Sequence, residues 1–483
     1  MLLTFVAAYL AVSIAIGLVA ALKVHSAKDY ITTGRRLPIW VVFAAVFATW
    51  FGAETVLGIS ATFLREGLSG LVSDPFGASM CLILVGLFFA RPLYRMNLLT
   101  IGDYYRARYN RPVEVVTSLC IALSYLGWVA AQVTALGLVF NVISQGEISQ
   151  TAGMIAGASV VLAYTLFGGM WSVAFTTFVQ MIIIVVGLFY IAWLVSGMAG
   201  GVTAVVAHAA AAGKFEFLPR LEWRDVIAFV AAWVTLGLGS IPQQDVFQRV
   251  NASKNEGTAA WGSILGGSAY FLFAFVPLFL AYSATLIDPG MVEKLIGGDS
   301  QLILPTLILN HLPLHAQVIF FGALLSVIMS TASGTLLAPS VTISENVLRG
   351  LFREMSDRRF LWMTRAVVVC FTVLVTGYAV HTDATIHKMV ENAYKITLSA
   401  AFTPLVFGLY WRRATTQGAA GAIVAGLVTW ITLEFAAPDA LFPPQFAALL
   451  ASMVAMLAGS LAPQWYGTPR GGAAVGSAGG RSS

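Results

Sequence analysis

Between Ser326 and Ser340 the chain reads SVIMSTASGTLLAPS, fifteen residues without a charge. Six of them carry hydroxyls: Ser326, Ser330, Thr331, Ser333, Thr335 and Ser340. A helix facing only lipid would use Leu, Ile and Val in such an apolar segment. Two uses of the oxygens compete. They can bond to the carbonyl one turn back and let helices pack closely. They can also replace the water shell of a hard cation such as Na⁺, which needs several oxygens. Spacing alone favours packing.

Five ionisable groups also lie in apolar surroundings: Glu54, Asp74, Asp245, Glu391 and Lys395. Such groups are costly in a membrane and face a cavity or a partner. Glu391 and Lys395 stand in the i, i+4 order of an intrahelical ion pair, so they either neutralise each other or face a ligand. Asp245 stands one turn before Arg249, which reads as a structural pair. Glu54 has no basic residue within a turn, so its partner must be another helix, a ligand or a proton. Helix breakers flank two of these acids. ATWFGAETVLG (Ala48 to Gly58) carries Gly52 beside Glu54, and LGLGSIPQQDVFQRV (Leu236 to Val250) carries Gly237, Gly239 and Pro242 before Asp245. Pro removes a backbone donor and Gly weakens a helix.

The surroundings that must position these groups are set by composition. Of 483 residues, 58% are hydrophobic and 10% charged, against about 25% charged in soluble proteins. The chain is read as an all-α polytopic membrane protein whose solvent is the lipid bilayer. Its net charge of +5 could point to nucleic acid, but the placement of the charges assigns them to orientation in the membrane, and no nucleic-acid partner is expected. Cys81, Cys120 and Cys370 stand singly, as small buried hydrophobes without disulfide or metal spacing. The six histidines fall in loops or at segment ends, without HExxH. No enzyme and no resident cofactor is expected.

Windows of roughly 20 apolar residues give thirteen spans: 2–22, 38–62, 71–94, 113–143, 150–167, 171–198, 226–250, 257–287, 315–348, 360–381, 388–411, 417–436 and 444–463. The first has no basic flank before it, and KVHSAKDYITTGRR follows it, the pattern of a retained helix rather than a signal peptide. With the N-terminus outside, 20 of the 27 basic residues fall on the cytoplasmic side and five outside, as the positive-inside rule requires. The expected location is the cell membrane, with the C-terminus cytoplasmic.

The interrupted spans are the second and the seventh, five apart. Spans 2–6 and 7–11 then form two repeats, inverted because five is odd, each opening on a broken helix. Transporters build midplane sites this way, and the freed carbonyls can hold Na⁺. The organisation expected is an extra helix and loop at 1–37, repeats at 38–198 and 226–412 around an outside loop at 199–225, two further helices within 413–466, and a flexible tail at 467–483.

At this point the chain resembles the solute:sodium symporter family, which includes sodium-coupled proline, galactose and choline transporters. Five motifs carry the resemblance in order, over about 28–415. DYITTGRRL resembles the segment before the first core helix. ATWFGAETVLG resembles that interrupted helix, its GAETVLG half closest to the sodium/galactose type. YTLFGGMWSVAFTTFVQ (Tyr164 to Gln180) resembles the family signature, GSIPQQDVFQRV the broken sixth core helix, and MSTASGTLL the sodium-binding eighth.

The resemblance implies a LeuT-like inverted-repeat fold and sodium-coupled uptake of a small solute by alternating access. The implied Na⁺ ligands are the carbonyls of Ala48, Phe51 and Val327 and the hydroxyls of Ser330 and Thr331. The implied solute lining is Trp50, Glu54, Thr55, Trp128, Gln243 and Lys395. One departure is Thr176-Thr177, where the family has Thr-Asp. Trp50, Trp128, GLFFARP and FQRV resemble the choline branch, but Gln243 and Ala78 stand where that branch has aromatic residues. Lys395 would repel a cation and suit a carboxylate, so a small carboxylate or amino acid is expected first and a choline-like solute second. An uncoupled channel, a proton-coupled carrier and a solute sensor are the alternatives of the same fold. The short tail argues against the sensor, and oligomeric state is not fixed by any of these residues.

Overall fold

The computed structural model of the chain describes residues 2–352 and 355–466, so the expected tail lies outside the described residues. Among the described residues every regular element is helical. Helix α1 (Leu2–Ala21) is twenty apolar residues, enough for a ~30 Å hydrocarbon core. Helix α2 (Ile39–Trp50) starts behind Pro38 and stops at Phe51, whose backbone (φ −84°, ψ 80°) has left the helix. The chain resumes as a widened turn over Glu54–Gly58 and then α3 (Ile59–Glu66). After Gly67 at φ +70°, a bent run leads to α4 (Ala78–Leu84).

Short α5 (Ile101–Arg108) is fixed by a reciprocal cap between Thr100 and Asp103. Helix α6 (Arg111–Ile143) opens with Asn110 as its cap and Pro112 in its first turn, where proline costs no hydrogen bond. Helix α7 (Gln150–Met198) is followed by α8 (Trp223–Gly239) and α9 (Gln244–Ala252). The last two meet at 45° across a short break. Then come α10 (Glu256–Ile287), α11 (Leu314–Thr342), α12 (Asp357–His381), α13 (Ile386–Thr397), α14 (Thr416–Ala436) and α15 (Pro444–Leu461).

By length and apolar composition, nine helices among the described residues can cross a membrane, ten if the bent pair α8–α9 is one span. The expected thirteen would need three more divisions or additions, each with a physical basis. Helix α7 has 49 residues, about 73 Å at the helical rise, more than twice the hydrocarbon thickness, and Gly169 (φ 49°, ψ −138°) breaks it. The run Glu54–Arg95 must likewise divide near Gly67. Helix α13, twelve residues long and carrying Lys388, Glu391 and Lys395, is too short and too polar to count by itself.

Helix α11 is the centre of the packing. From Ala323 to Thr342 every residue is buried, because α7, α6, α12 and α2 surround it. A helix enclosed by protein need not present Leu and Val to lipid, which makes room for hydroxyls. Most of α1 faces outward, and it docks on α7 through Gly17, where a Cβ would come within 2.7 Å of the Tyr164 side chain. Cys81 and Cys120 are buried as expected, whereas Cys370 is exposed on α12. That helix packs by one face only, and Cys370 sits on the other.

The corner at Gly169 has no room for a side chain, since a Cβ there would meet the Tyr30 carbonyl at 2.5 Å. Gly169→Ala should destabilise the protein by about 1–3 kcal/mol through strained backbone and collision. Gly197→Ala, where a Cβ meets nothing within 4 Å, should be neutral or slightly stabilising. Melting temperatures of the two purified variants check this; equal shifts would show that Gly169 is not a constrained corner.

Candidate functional site

Because α2 ends at Trp50, the carbonyls of its last turn have no following turn to bond. Ser330 Oγ donates to the Ala48 carbonyl at 2.6 Å and to the Val327 carbonyl at 2.9 Å. Thr331 Oγ1 points at the same Ala48 oxygen from 3.5 Å. Phe51 forms the next corner of the broken segment. Four of the five expected sodium ligands are thus joined by hydrogen bonds across α2 and α11, with Phe51 at the break beside them. The remaining hydroxyls of α11 close on their own helix. Ser333, Thr335 and Ser340 donate to the carbonyls of Ser330, Thr331 and Leu336. Ser326 donates to Gly322 and also meets Tyr9 Oη on α1.

On the other side of the break, two carboxylates organise a cluster of rings. Glu54 accepts from Trp128 Nε1 at 2.9 Å and from Gln132 Nε2 at 2.7 Å. Gln132 is oriented in turn by the free Ala53 N–H, which donates to its Oε1 at 3.0 Å. Asp245 accepts from Trp50 Nε1 at 3.2 Å and from Tyr125 Oη at 2.5 Å. The Asp245 N–H, in the first turn of α9, donates back to Tyr125 Oη at 2.9 Å. Between these two acids Trp50, Trp128, Tyr125 and Tyr394 pack ring against ring. Trp50 stands edge-on to Trp128 at 5.6 Å and stacks on Tyr394 at 6.3 Å. Trp128 stacks on Tyr125 at 6.0 Å and lies 5.6 Å from Tyr394. Thr55 bonds Tyr270 Oη at 3.2 Å, and Tyr270 donates to Asp74.

Of the expected solute-lining residues, Trp50, Glu54, Thr55 and Trp128 meet here. Gln243 is buried at the N-terminal edge of α9, with its amide on Ser124 Oγ at 2.9 Å. Lys395 stands apart from them. Its Nζ lies 3.0 Å from Glu434 on α14, which also accepts from Trp430. One residue along a helix turns the side chain by about 100°, so Tyr394 enters the ring cluster and Lys395 leaves it. The pairing weighed for Lys395 with Glu391 is replaced by this interhelical one.

Asp245, Tyr125, Gln132, Tyr394 and Tyr270 complete this buried network and are not among the expected solute-site residues. A signal existed for some of them. Ser124, Trp128 and Gln132 repeat at i, i+4 and i+8, a polar stripe along one face of a mostly apolar helix. Asp245 was weighed only against Arg249, which does lie 3.6 Å from it, while its partners from α2 and α6 come from distant sequence. At the departure from the family signature, Thr176 bonds the Ser172 carbonyl. Thr177 Oγ1 and both polar ends of Gln180 are buried without a hydrogen-bond partner.

A bilayer-spanning helical bundle with a broken-helix oxygen cluster is the architecture of ion-coupled carriers, and comparison with known proteins decides the family. The profile of the sodium:solute symporter family matches residues 30–426. The chain belongs to that family. It is a multi-pass membrane transporter, not an enzyme. It is 28% identical over 420 residues to the human high affinity choline transporter 1, covering 83% of this chain and 70% of that one. It is 25% identical to the sodium/proline symporter of Haemophilus influenzae, covering 86% and 84%, and to an osmoregulated proline transporter of Bacillus subtilis, covering 89% and 88%. Among solved structures, a Na⁺-coupled sialic acid symporter in a substrate-bound outward-open state superposes with a TM-score of 0.82 at 19% identity, covering 95% and 97%. The nucleobase-cation symporter Mhp1 superposes at 0.60 and 15%, covering 89% and 94%. These likenesses establish the LeuT-like fold.

If the Ala48–Ser330–Thr331 cluster binds sodium, Ser330→Ala and Thr331→Ala should each raise the Na⁺ concentration for half-maximal transport by roughly tenfold, as expected for a lost ligand to a charge. Ser340→Ala, whose hydroxyl only closes its own turn, should change it little. Three indistinguishable titrations would return all the hydroxyls to packing.

Proposed function

We propose that this symporter imports a small organic cation, of the choline type, together with Na⁺. The observation that carries the reading is the box of Trp50, Trp128, Tyr125 and Tyr394 held between Glu54 and Asp245. Ring faces attract a quaternary ammonium by ~0.5–2 kcal/mol each. The expectation of a carboxylate solute rested on Lys395, and that charge is engaged with Glu434. Charge balance supports the change. Around the break the buried charged side chains are Glu54, Asp74, Asp245 and Arg249. The three acids outnumber the one arginine, so a cation is better accommodated among them than an anion. Similarity to the choline transporter agrees with it.

Under this reading Ala48, Phe51, Val327, Ser330 and Thr331 hold the ion, and Trp50, Glu54, Thr55 and Trp128 line the solute site with Asp245, Tyr125 and Tyr394. Segments 38–198 and 226–412 act as the inverted repeats that rock about the two sites. The N-terminus is placed outside and the C-terminus in the cytoplasm. A second reading is an amino acid such as proline. Its ammonium would use the same box, and its carboxylate would take the Gln243 amide, which borders the cluster and now rests on Ser124.

Proteoliposomes under an inward Na⁺ gradient should accumulate choline above equilibrium. Uptake unchanged by removing Na⁺ would sink the symport claim, uptake following a pH gradient in Na⁺-free buffer would make protons the coupling ion, and proline accumulation without choline would favour the second reading. Trp128→Ala should raise the choline concentration for half-saturation by about 2- to 30-fold, and Lys395→Ala should leave it unchanged.

A further inference from the structure

Arg249 is buried and has three sets of partners on two helices. Its Nε donates to the Ala45 carbonyl at 3.1 Å and its Nη2 to Thr49 Oγ1 at 2.5 Å, both on α2. Its Nη1 donates to the Asp245 carbonyl at 2.5 Å on α9, and lies 3.6 Å from Asp245 Oδ2. A third helix touches it at Gly334 of α11, one turn after Ser330. A Cβ there would come within 2.7 Å of Nη2 and 3.1 Å of Thr49 Cγ2. The first half of one broken helix, the start of the second half of the other, and the hydroxyl-bearing helix therefore meet at a single guanidinium.

We infer that Arg249 is the positioning residue through which sodium occupancy sets the shape of the solute box. The inference rests on the sodium site proposed above. Thr49 directly follows Ala48, whose carbonyl Ser330 engages at 2.6 Å. An ion held by Ala48, Ser330 and Thr331 fixes α2 against α11. The fork then carries that placement to the Asp245 backbone. Asp245 in turn receives Trp50 Nε1 and Tyr125 Oη, two of the four rings of the box. Arginine suits the role because its five donors are fixed in one plane and can bind several partners at set angles; a lysine ammonium is a single point on a flexible stem. The route along α2 from Ala48 reaches the Asp245 carboxylate through Trp50 Nε1, whereas among the hydrogen bonds of the described residues only the fork ties the Asp245 backbone to α2.

The test reads the two ends separately. Sodium binding is measured by thermal stabilisation in Na⁺ against K⁺, and the box by the Na⁺-induced change in tryptophan fluorescence that is missing from Trp50→Phe. In Arg249→Lys, and in the neutral double variant Asp245→Asn/Arg249→Gln that leaves no lone buried charge, sodium should still stabilise the protein while the Trp50 response is lost. A response that persists in either variant overturns the inference, as does a parent protein whose Trp50 does not respond to Na⁺. Loss of sodium stabilisation in both variants also overturns it, because Arg249 would then support the ion site itself. No solute enters the measurement, so a wrong choice of solute leaves the result standing. A Ser330→Ala protein that binds Na⁺ normally would place the fault in the sodium site rather than in the link.

Discussion

The bond from Ser330 Oγ to the Ala48 carbonyl exists because α2 stops at Trp50, and most of the core follows from that interruption. An unbroken helix would have consumed the Ala48 oxygen in its own ladder, leaving α11 nothing polar to meet. It would also have capped the Ala53 N–H internally. Instead that N–H binds Gln132, which turns its amide toward Glu54, which in turn holds Trp128. One break in backbone hydrogen bonding thus creates acceptors on one side and an oriented carboxylate on the other. In hydrocarbon such groups persist only where protein surrounds them, and here α6, α7 and α11 do so.

The second break, between α8 and α9, works by the same physics with opposite polarity. The first-turn amide of Asp245 is free, so Tyr125 can accept from it and donate to the carboxylate. At the end of α8, Thr397 Oγ1 caps the Gly239 carbonyl at 2.7 Å. The absence of a side chain at Gly239 lets α13 approach, since a Cβ there would meet the Tyr394 carbonyl at 2.8 Å. Tyr394 reaches the ring cluster because of this close approach. The two breaks are therefore bridged by side chains of α6 and α13, and tied directly by Trp50 on Asp245 and by Arg249.

Legibility in the sequence was uneven for physical reasons. Hydropathy and the distribution of Lys and Arg pointed to a membrane bundle, since both are one-dimensional signals that lipid imposes on every span. Gly52 and the Gly237–Pro242 cluster announced the breaks, because backbone conformation is a local property. The hydroxyls of Ser330 and Thr331 could be paired with the Ala48 carbonyl through the motif resemblance, though spacing alone leaned the other way. Asp245 went to Arg249 by its i+4 spacing, and that contact is real, but two stronger bonds arrive from residues 195 and 120 positions away.

By itself the sequence determined the membrane setting, the family, the two interruptions and the identity of the hydroxyl helix. Each is written in local composition or in a contiguous motif. Only the tertiary structure decided which charges share the ring cluster between the two breaks. Lys395 and Tyr394 are neighbours in sequence, and rotation about the α13 axis sends one to Glu434 and the other to Trp50 and Trp128. That rotation is fixed by the packing of α13 against α6 and α8, and no window of the chain contains it.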